Sequence, residues 1–510
     1  MGLTELGHAA RLLGDARQLA RHGALRPFET HAEMPGMARL AARLLRLGTH
    51  APLEPDFADG LKACGPAAVK LGQALATRPD LVGARAAEDL RALQDDLPPA
   101  PWEAVEAVIE AALPGGWRAH FSTIERVPAG SASIAQVHKA TRHDGRVVAL
   151  KVLRPGVEDA FERALKSYAW AAARLERLGG DVARLKPRIV IESFRQWTMA
   201  ELDLRREAGN ASELADAVRG EPGVRVPDVQ WDLTTRRTLA LDWIDGVKLT
   251  DQARLAAMGV DRPRLARTLV HGFLSQAIGA GFFHADLHQG NMLLTANGDL
   301  VLIDFGIMGR LDRRARVYLA EILYGLLVGN YARVAEVHFE AGYVPPHHDM
   351  AAFATALRAV GEPIRGRNAA DISVGGLLDG LFAITRQFDM VVQPHLLLLQ
   401  KTMVMVEGVA LSLDPDINMW EAASPYVKRW IRDELGPEAK AADAIISNVR
   451  LLRALPRLAQ RFLAQLPVES AAPPLPPLPP LPEPRPSRWP ALLLGAALGA
   501  GAMALGGWLF

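Results

Sequence analysis

The residues with the clearest capacity for chemistry lie in two short segments that follow each other along the chain. Residues 284–291 read HADLHQGN, and residues 301–306 read VLIDFG. Mg²⁺ prefers oxygen ligands, and phosphoryl transfer also needs a carboxylate that orients the attacking nucleophile. Asn291 follows Asp286 by five residues, and Asp304 follows it by 18. This spacing predicts Asn291 and Asp304 as magnesium ligands and Asp286 as the orienting base.

The two histidines near Asp286 allow a different interpretation of the same segment. His284 and His288 flank Asp286 at i−2 and i+2, so the three side chains could hold a transition metal. That interpretation leaves Asp304-Phe305-Gly306 unexplained. It also gives no role to a lysine in an upstream strand, and we therefore favour magnesium.

That lysine is Lys151, inside the apolar run VVALKVL at residues 147–153. An ammonium group buried in such a strand is unfavourable unless a carboxylate or phosphate lies nearby. A lysine on the solvent face of an edge strand is the alternative. His143-Asp144-Gly145 separates this run from another β-rich run at residues 134–140, and Asp-Gly in that position predicts a hairpin.

The order of these features predicts the fold class. A strand lysine, then a loop with Asp286 and Asn291, then Asp-Phe-Gly is the order found in protein kinases. Downstream of about Asp251 the pattern is largely helical, with short strands expected at 292–294 and 300–303 and an apolar helix near 317–328. We therefore expect an α+β, bilobal, protein-kinase-like fold with a small β-rich lobe before a larger helical lobe.

Composition excludes several other classes of protein. Of the 510 residues, 58 are Lys or Arg and 57 are Asp or Glu, so the net charge is +1. This balance argues against nucleic acid as a partner. Hydrophobic residues make up 49%, enough for a large packed core. Cys64 is the single cysteine, which excludes an internal disulfide framework and agrees with a reducing compartment.

The C-terminal end predicts a membrane anchor. Residues 490–510 carry no charged side chain and would span about 32 Å as a helix, close to the thickness of the hydrocarbon core. Arg485 and Arg488 precede this segment, which would keep the main body on the cytoplasmic face of the inner membrane. A buried helix is the alternative. Gly495 and Gly499 could let two such helices pair in a homodimer.

A proline-rich stretch, PPLPPLPPLPEPRPSRWP at residues 473–490, precedes this segment. It predicts a stiff spacer, and a ligand for a proline-binding domain is the alternative. The N-terminal 120 residues read mostly as helices. Leu12, Leu13, Ala16 and Leu19 share one helix face, as do Leu40, Leu44 and Leu47. We expect these faces to pack in the core, with a basic amphipathic helix on a membrane as the alternative.

Four motifs resemble the UbiB family of atypical kinase-like ATPases, also called the aarF-domain group. Residues 128–138, PAGSASIAQVH, resemble its alanine-rich nucleotide loop, although Gly130 stands where the family usually has alanine. Residues 70–73, KLGQ, resemble its K-x-G-Q signature, and residues 201–203, ELD, its E-x-D signature. Glu207 matches the glutamate that pairs with the strand lysine. The resemblance runs from about Leu61 to Leu411.

The resemblance implies a role for each of these residues, with ATP and Mg²⁺ as cofactors. Lys151 would bind the α- and β-phosphates and be oriented by Glu207. Asp242 and Ile244 resemble the hinge that binds adenine through backbone groups. The phosphates would contact the nucleotide loop, at Ala129, Gly130, Ser131, Ala132, Ser133, Ile134, Ala135, Gln136 and Val137. A cover over the nucleotide site would be formed by Lys70, Gln73, Glu201 and Asp203.

Three functions are compatible with these motifs: an ATPase that supports ubiquinone biosynthesis, a true kinase for a protein or small molecule, and a nucleotide-binding scaffold without turnover. Ala285 replaces the arginine of regulated protein kinases, and no Ala-Pro-Glu follows Gly306. A scaffold usually lacks a metal ligand, whereas Asp286, Asn291 and Asp304 are all present. We favour the ATPase, and the resemblance implies ubiquinone-biosynthesis enzymes or prenylated intermediates as partners, together with a lipid membrane.

The expected domains follow the motifs. They are a helical extension at residues 1–120, a kinase-like N-lobe at 121–245, a helical C-lobe at 246–465, a linker at 466–488 and an anchor at 489–510.

Overall fold

The structure is a computed structural model of the whole chain. It describes residues 3–27, 36–50, 52–76, 84–91, 93, 98–177, 186–362, 384–390 and 394–435. The predicted linker and anchor at residues 466–510 lie outside the described residues, as does the pair of Gly495 and Gly499.

The chain divides into two compact units. The first contains the described part of Met1–Ala208 together with Val229–Trp243. The second contains Gly209–Asp228 and the described part of Ile244–Glu483. The predicted boundary at residue 245 lies close to the division after Trp243, at the segment predicted as the hinge.

The first unit begins with helices and continues into an antiparallel sheet. Its helices are α1 (Leu3–Arg21), α2 (Gly36–Arg46), α3 (Phe57–Cys64), α4 (Pro66–Ala76), α5 (Ala84–Arg91), α6 (Trp102–Ala112), α7 (Val157–Arg177), α8 (Pro187–Glu201) and the start of α9 (Leu204–Ala217). Its strands are β1 (Phe121–Ile124), β2 (Gly130–Ser131), β3 (Ala135–Arg142), β4 (Val147–Leu153) and β6 (Thr238–Asp242).

The sheet of the first unit confirms the predicted hairpin. Its strand order is β1-β3-β4-β6, and β2 pairs with β3. Strands β3 and β4 pair antiparallel, with Val137 opposite Lys151. Gly145 closes the turn with a φ of 85°, a value that glycine adopts without strain. One face of this sheet packs on Val105 and Ile109 of α6.

The second unit is mainly helical with short strands. Its helices are the rest of α9, α10 (Gln252–Ala257), α11 (Arg262–Leu274), α12 (Arg313–Val328), α13 (Tyr331–Glu340), α14 (Met350–Gly361), α15 (Pro394–Leu413) and α16 (Met419–Leu435). Its strands are β5 (Val224–Arg225), β7 (Gly246–Lys248), β8 (Phe282–His284), β9 (Met292–Thr295), β10 (Leu300–Leu302) and β11 (Met308–Arg310).

Strands β9 and β10 confirm the predicted strands at residues 292–294 and 300–303, whereas the other short strands of the second unit were not predicted. Together, the short strands form one sheet in the order β5-β10-β9-β7 and a second sheet of β8 and β11. Helix α12 starts at Arg313, only seven residues after Gly306, and the Asp312 carboxylate caps it by accepting a hydrogen bond from the Ala315 amide. The described chain therefore passes from Asp-Phe-Gly through β11 into a helix with no long intervening loop.

One leucine face departs from the prediction. Leu12, Ala16 and Leu19 of α1 are buried as expected. Leu40, Leu44 and Leu47 are instead 50%, 55% and 65% exposed, so the expectation that they pack in the core is wrong. The reason is that α2 contacts α1 through its opposite face, which contains the buried residue Ala42.

Among the described residues, one helix is long and apolar enough to cross a membrane, the segment Leu396–Leu413 of α15. The core helix of a soluble domain passes the same test. Helix α15 packs against α11 and carries Lys401, whose ammonium contacts a carboxylate of the same unit. Only 33% of this segment is buried, and the predicted anchor at residues 489–510 stays a prediction.

The single cysteine provides a first test of the fold. The Cys64 thiol has the carbonyls of Gly60 and Asp15 as hydrogen-bond acceptors within reach, and burial raises its pKa to about 12. At pH 8 the folded chain therefore holds this group almost entirely as the thiol, and the thiolate is the reactive form. We expect iodoacetamide at pH 8 to alkylate the native protein much more slowly than the urea-unfolded protein, as measured by mass spectrometry. Equal rates would contradict this packing.

Candidate functional site

The strand lysine has the partner that its burial requires. The Lys151 ammonium lies 2.6 Å from Oε1 of Glu207, and the two side chains are 14% and 9% exposed. Strand β4 presents Lys151 and helix α9 presents Glu207, 56 residues later in the chain. The predicted pair is therefore present in the structure. The alternative of a solvated lysine on an edge strand is wrong, because β4 lies between β3 and β6.

The predicted nucleotide loop is a tight hairpin. Gly130 pairs with Val137 and Ser131 with Gln136, and the Ala132 amide donates to the Ala135 carbonyl. Small residues at the tip allow backbone amides to approach an anion closely.

Two observations at this hairpin fit a bound phosphate group. A Cβ added at Gly130 would meet no atom within 4 Å, so the space beside the loop is open. The Ser133 hydroxyl is buried and has no hydrogen-bond partner among the described residues. A buried polar group without a partner is unfavourable, and an incoming oxygen ligand would remove that penalty.

Unlike the small residues at the tip of the loop, Gln136 has a long buried side chain that makes hydrogen bonds within the protein. Its side chain is 1% exposed, accepts a hydrogen bond from the Ala100 amide, and donates to His138 Nε2 at 2.7 Å. His138 Nδ1 donates in turn to the Glu125 carbonyl, and burial lowers the pKa of this histidine. The Gln136 side chain is thus engaged beneath the hairpin, and its predicted contact with a nucleotide stays a prediction.

Arg154, which the sequence analysis missed, holds the hairpin closed. Its guanidinium donates to the carbonyl of Ala132 and the hydroxyl of Ser131, both at 2.7 Å, and to the carbonyl of Pro98. The Arg154 amide also donates to the Ile134 carbonyl. Arginine suits this position because its planar group can serve several acceptors at once. The position of Arg154, directly after β4, was the signal in the sequence that could have identified it.

The predicted hinge residues lie on either side of the division between the units. Asp242 ends β6, and its carboxylate accepts a hydrogen bond from Gln230 at 2.7 Å. Ile244 is the first residue of the second unit after this strand. Their contacts with adenine remain predictions.

In the second unit, Asp286 lies in the loop after β8 and contacts two basic side chains. Lys401 Nζ lies 3.2 Å from Oδ1, and His288 Nε2 lies 3.7 Å from Oδ2. The Asp286 side chain is 27% exposed, so an acceptor can reach it. Lys401 was not predicted from the sequence.

The strand register brings the two predicted metal ligands to the same end of a hairpin. Leu302 of β10 pairs with Met292 of β9, and the Ile303 amide donates to the Asn291 carbonyl. Asp304 is the next residue along the chain. The side-chain nitrogen of Asn291, Nδ2, donates to the backbone carbonyl of Asp286. The side-chain oxygen of Asn291 is therefore the atom suited to a cation.

Asp304 has an unusual backbone conformation. Its φ is 63°, in the left-handed region that aspartate tolerates better than most residues. Its Oδ1 accepts a hydrogen bond from the Gly306 amide at 3.2 Å. Asn291 and Asp304 both offer oxygen atoms, the ligands that Mg²⁺ prefers, and their binding of the cation stays a prediction.

His284 lacks a free ring nitrogen for a metal. Its Nδ1 accepts from the Asp286 amide, and its Nε2 faces the Ile303 carbonyl at 3.4 Å. Burial lowers the pKa of His284, while the charges of Asp304 and Asp286 oppose that shift. The histidine is therefore a neutral structural group between two carboxylates. This geometry removes the transition-metal alternative built on His284, Asp286 and His288.

Two family models match the chain. The ABC1 atypical kinase-like domain matches residues 92–338, and the UbiB helical domain matches residues 357–418. The chain belongs to the UbiB family. Its structure is also similar to the solved complex of Rv3197 with erythromycin from Mycobacterium tuberculosis. That comparison gives 26% identity and a TM-score of 0.51, over 70% of this chain and 91% of the other.

The K-x-G-Q motif of this UbiB chain lies before the matched domain and forms a buried ion pair. Lys70 Nζ lies 3.1 Å from Glu201 Oε2, with side chains 9% and 7% exposed, and lies 5.8 Å from the centre of the Trp197 ring. The side-chain nitrogen of Gln73, Nε2, donates to the Leu93 carbonyl. The ion pair of Lys70 and Glu201 joins α4 to the end of α8. That these residues cover a nucleotide stays a prediction.

Asp203 of the E-x-D motif is held by its own neighbour. Arg205 contacts both of its carboxylate oxygens, at 2.9 and 2.6 Å, and this contact lowers the pKa of Asp203. The carboxylate therefore stays charged well below neutral pH. Its role in the cover stays a prediction.

Gly72 of the K-x-G-Q motif allows close packing of helices. A Cβ at this position would lie 2.5 Å from Leu61 and from Leu93. We expect Gly72→Ala to lower the free energy of unfolding by about 1–3 kcal/mol through overpacking, measured by urea denaturation. Gly14→Ala is a matched control, since Gly14 is an exposed helical glycine with open space around it. That change should stabilise by about 0.5–1 kcal/mol. Equal stability of the two variants would refute the packing argument.

Proposed function

We propose that this UbiB-family chain binds Mg-ATP, hydrolyses it, and supports ubiquinone biosynthesis at a membrane. The kinase-like fold gives the coarse expectation of phosphoryl transfer or ATP hydrolysis. The observation that carries the proposal is the ion pair of Lys151 and Glu207, because it places a cation on the strand that pairs with the phosphate-loop hairpin.

Stability alone is a weak explanation for that pair. Replacing a buried ion pair with apolar residues of similar size is often neutral or stabilising. A cation retained at this position therefore supports a role in binding an anion. The open space at Gly130 and the unpartnered Ser133 hydroxyl support the same ligand, a phosphate chain.

Each group has a defined task in the proposed reaction. Lys151, oriented by Glu207, binds the α- and β-phosphates, and the backbone of the hairpin surrounds the phosphate chain. Asp286 accepts a hydrogen bond from the attacking water or acceptor hydroxyl and orients it for attack. Asn291 and Asp304 would hold Mg²⁺, which when bound neutralises charge on the phosphate oxygens.

The preference for ATP hydrolysis over peptide phosphorylation comes from the chain after Asp304. Residues 307–312 lead directly into α12, so the described chain has no long loop on which a peptide could dock. The link to ubiquinone biosynthesis is supported by membership of the UbiB family. The partners would be ubiquinone-biosynthesis enzymes or prenylated intermediates.

ATP turnover by the purified full-length chain tests this proposal. We expect Mg²⁺-dependent phosphate release that rises with anionic lipid vesicles and a quinone-precursor mimic, without a phosphorylated product. A stoichiometric phosphorylated protein or small molecule would support the true kinase instead. ATP binding without any turnover would support a scaffold.

Membrane attachment is a separate prediction. Residues 490–510 carry no charged side chain, and we expect deletion of residues 489–510 to move the protein from the membrane pellet to the soluble fraction. The measurement is immunoblotting after ultracentrifugation, with full-length protein as control.

Retention of the truncated protein on membranes would place the anchor elsewhere. The exposed face of α2 would then be the next region to test. It combines Leu40 and Leu44 of α2, and Leu47 directly after the helix, with the exposed Arg43.

A further inference from the structure

Helix α15 lies along the loop that contains Asp286. Lys401 contacts the Asp286 carboxylate at 3.2 Å, and the Ser412 hydroxyl accepts a hydrogen bond from Gln289 at 2.7 Å. Lys401 and Ser412 are 11 residues apart, about three turns, and therefore lie on the same face of the helix. Both ends of the four-residue segment from Asp286 to Gln289 are thus tied to one helix face.

Lys401 lies in the apolar part of α15, whose other charged side chain is Glu407. Residues 396–406 read LLLLQKTMVMV, and Lys401 is their single charged residue. A surface ion pair stabilises a fold by about 0–1 kcal/mol, and this pair is 38% and 27% exposed. Stability therefore gives little reason for a lysine at this position. Its contact with the base of the proposed reaction gives a functional one.

We propose that Lys401 is a positioning residue for Asp286, and that this is one task of the helical domain at residues 357–418. The inference rests on the proposed function, in which Asp286 orients the nucleophile. Lys401 contacts Oδ1, so Oδ2 is the carboxylate oxygen assigned to accept the hydrogen bond from the nucleophile. The other basic group near this carboxylate is His288, whose Nε2 lies further away, 3.7 Å from Oδ2.

The contacts of Lys401 separate orientation of the base from nucleotide binding. Among the described residues, the Lys401 ammonium pairs with Asp286 and with neither of the proposed magnesium ligands, Asn291 and Asp304. Its loss should therefore lower kcat while leaving the KM for ATP unchanged. Groups that orient metal ligands contribute about 10- to 100-fold to activity, and we expect an effect of similar size from a group that orients a catalytic carboxylate.

The test compares Lys401→Met, Lys401→Arg and Ser412→Ala in the full-length protein. We expect Lys401→Met to lower kcat for ATP hydrolysis about 10- to 100-fold, with KM within about twofold of wild type. Lys401→Arg should recover most of this loss, because arginine restores the cation. Binding of Mg-AMP-PNP, measured by calorimetry, and the melting temperature should stay near the wild-type values in every variant. Ser412→Ala should have a smaller effect on kcat.

A double-mutant cycle shows whether Lys401 acts through Asp286. In an Asp286→Asn background, Lys401→Met should cause no further loss of the residual rate. Multiplied losses, an unchanged kcat in Lys401→Met, or a fall in Mg-AMP-PNP affinity that matches the fall in rate would each overturn the assignment. Wild-type protein that hydrolyses no ATP would instead defeat the proposed function, and the role of Lys401 with it.

Discussion

Lys151→Met is expected to reduce ATP turnover by at least about 100-fold and to lower the stability of the fold as well. The turnover falls because the cation for the α- and β-phosphates is lost. The stability falls because the Glu207 carboxylate, only 9% exposed, loses the ammonium 2.6 Å away. Breaking a buried pair by removing one partner costs about 3–5 kcal/mol. Phosphate release and urea denaturation measure the two effects.

A second variant separates these two effects. In Lys151→Met with Glu207→Leu, the buried charge is gone, so most of the stability should return while turnover stays absent. Recovery of turnover in this double variant would contradict a role for the pair in binding phosphate. Lys166→Met is a matched control, because Lys166 pairs with Glu162 on an exposed helix surface and should affect neither property.

Asp304→Asn is expected to abolish Mg²⁺-dependent ATP hydrolysis while leaving the fold intact. Asparagine tolerates the left-handed backbone at φ 63° and can still accept the hydrogen bond from the Gly306 amide. It lacks the charge that holds a divalent cation. A cation supplies several kcal/mol of transition-state stabilisation, so the expected loss is about 100-fold or more.

Asp389→Asn is the matched control for that variant. Asp389 also has a left-handed backbone, with φ 46°, and its side chain is 71% exposed. The same chemical change there should leave hydrolysis unchanged, as measured by phosphate release at saturating Mg²⁺. Full activity in Asp304→Asn would remove the metal assignment.

The sequence predicted the elements whose signals are local. The Asp-Gly turn gave the hairpin of β3 and β4, and the apolar runs at residues 292–303 gave β9 and β10. The ion pair of Lys151 and Glu207 spans 56 residues and depended on the family motif, since nothing local to Glu207 distinguishes it from other helical glutamates.

The contacts that the sequence analysis missed are set by tertiary structure. Lys401 lies 115 residues after Asp286, and only the packing of α15 brings the two together. The single lysine in the apolar run at residues 396–406 was a local signal for an acidic partner, but the sequence does not say which carboxylate that is. The exposed leucines of α2 were mispredicted for a related reason. Periodicity identifies an apolar face, but it does not say which neighbour covers that face.

The most direct test of the central claim is the Mg²⁺-dependence of ATP binding to the purified full-length chain, measured by calorimetry. We predict one ATP bound per chain, with affinity that falls when EDTA removes Mg²⁺ and that becomes insensitive to Mg²⁺ in Asp304→Asn. An ATP affinity that is the same with and without Mg²⁺ in the wild-type protein, or no binding of ATP at all, would contradict the account.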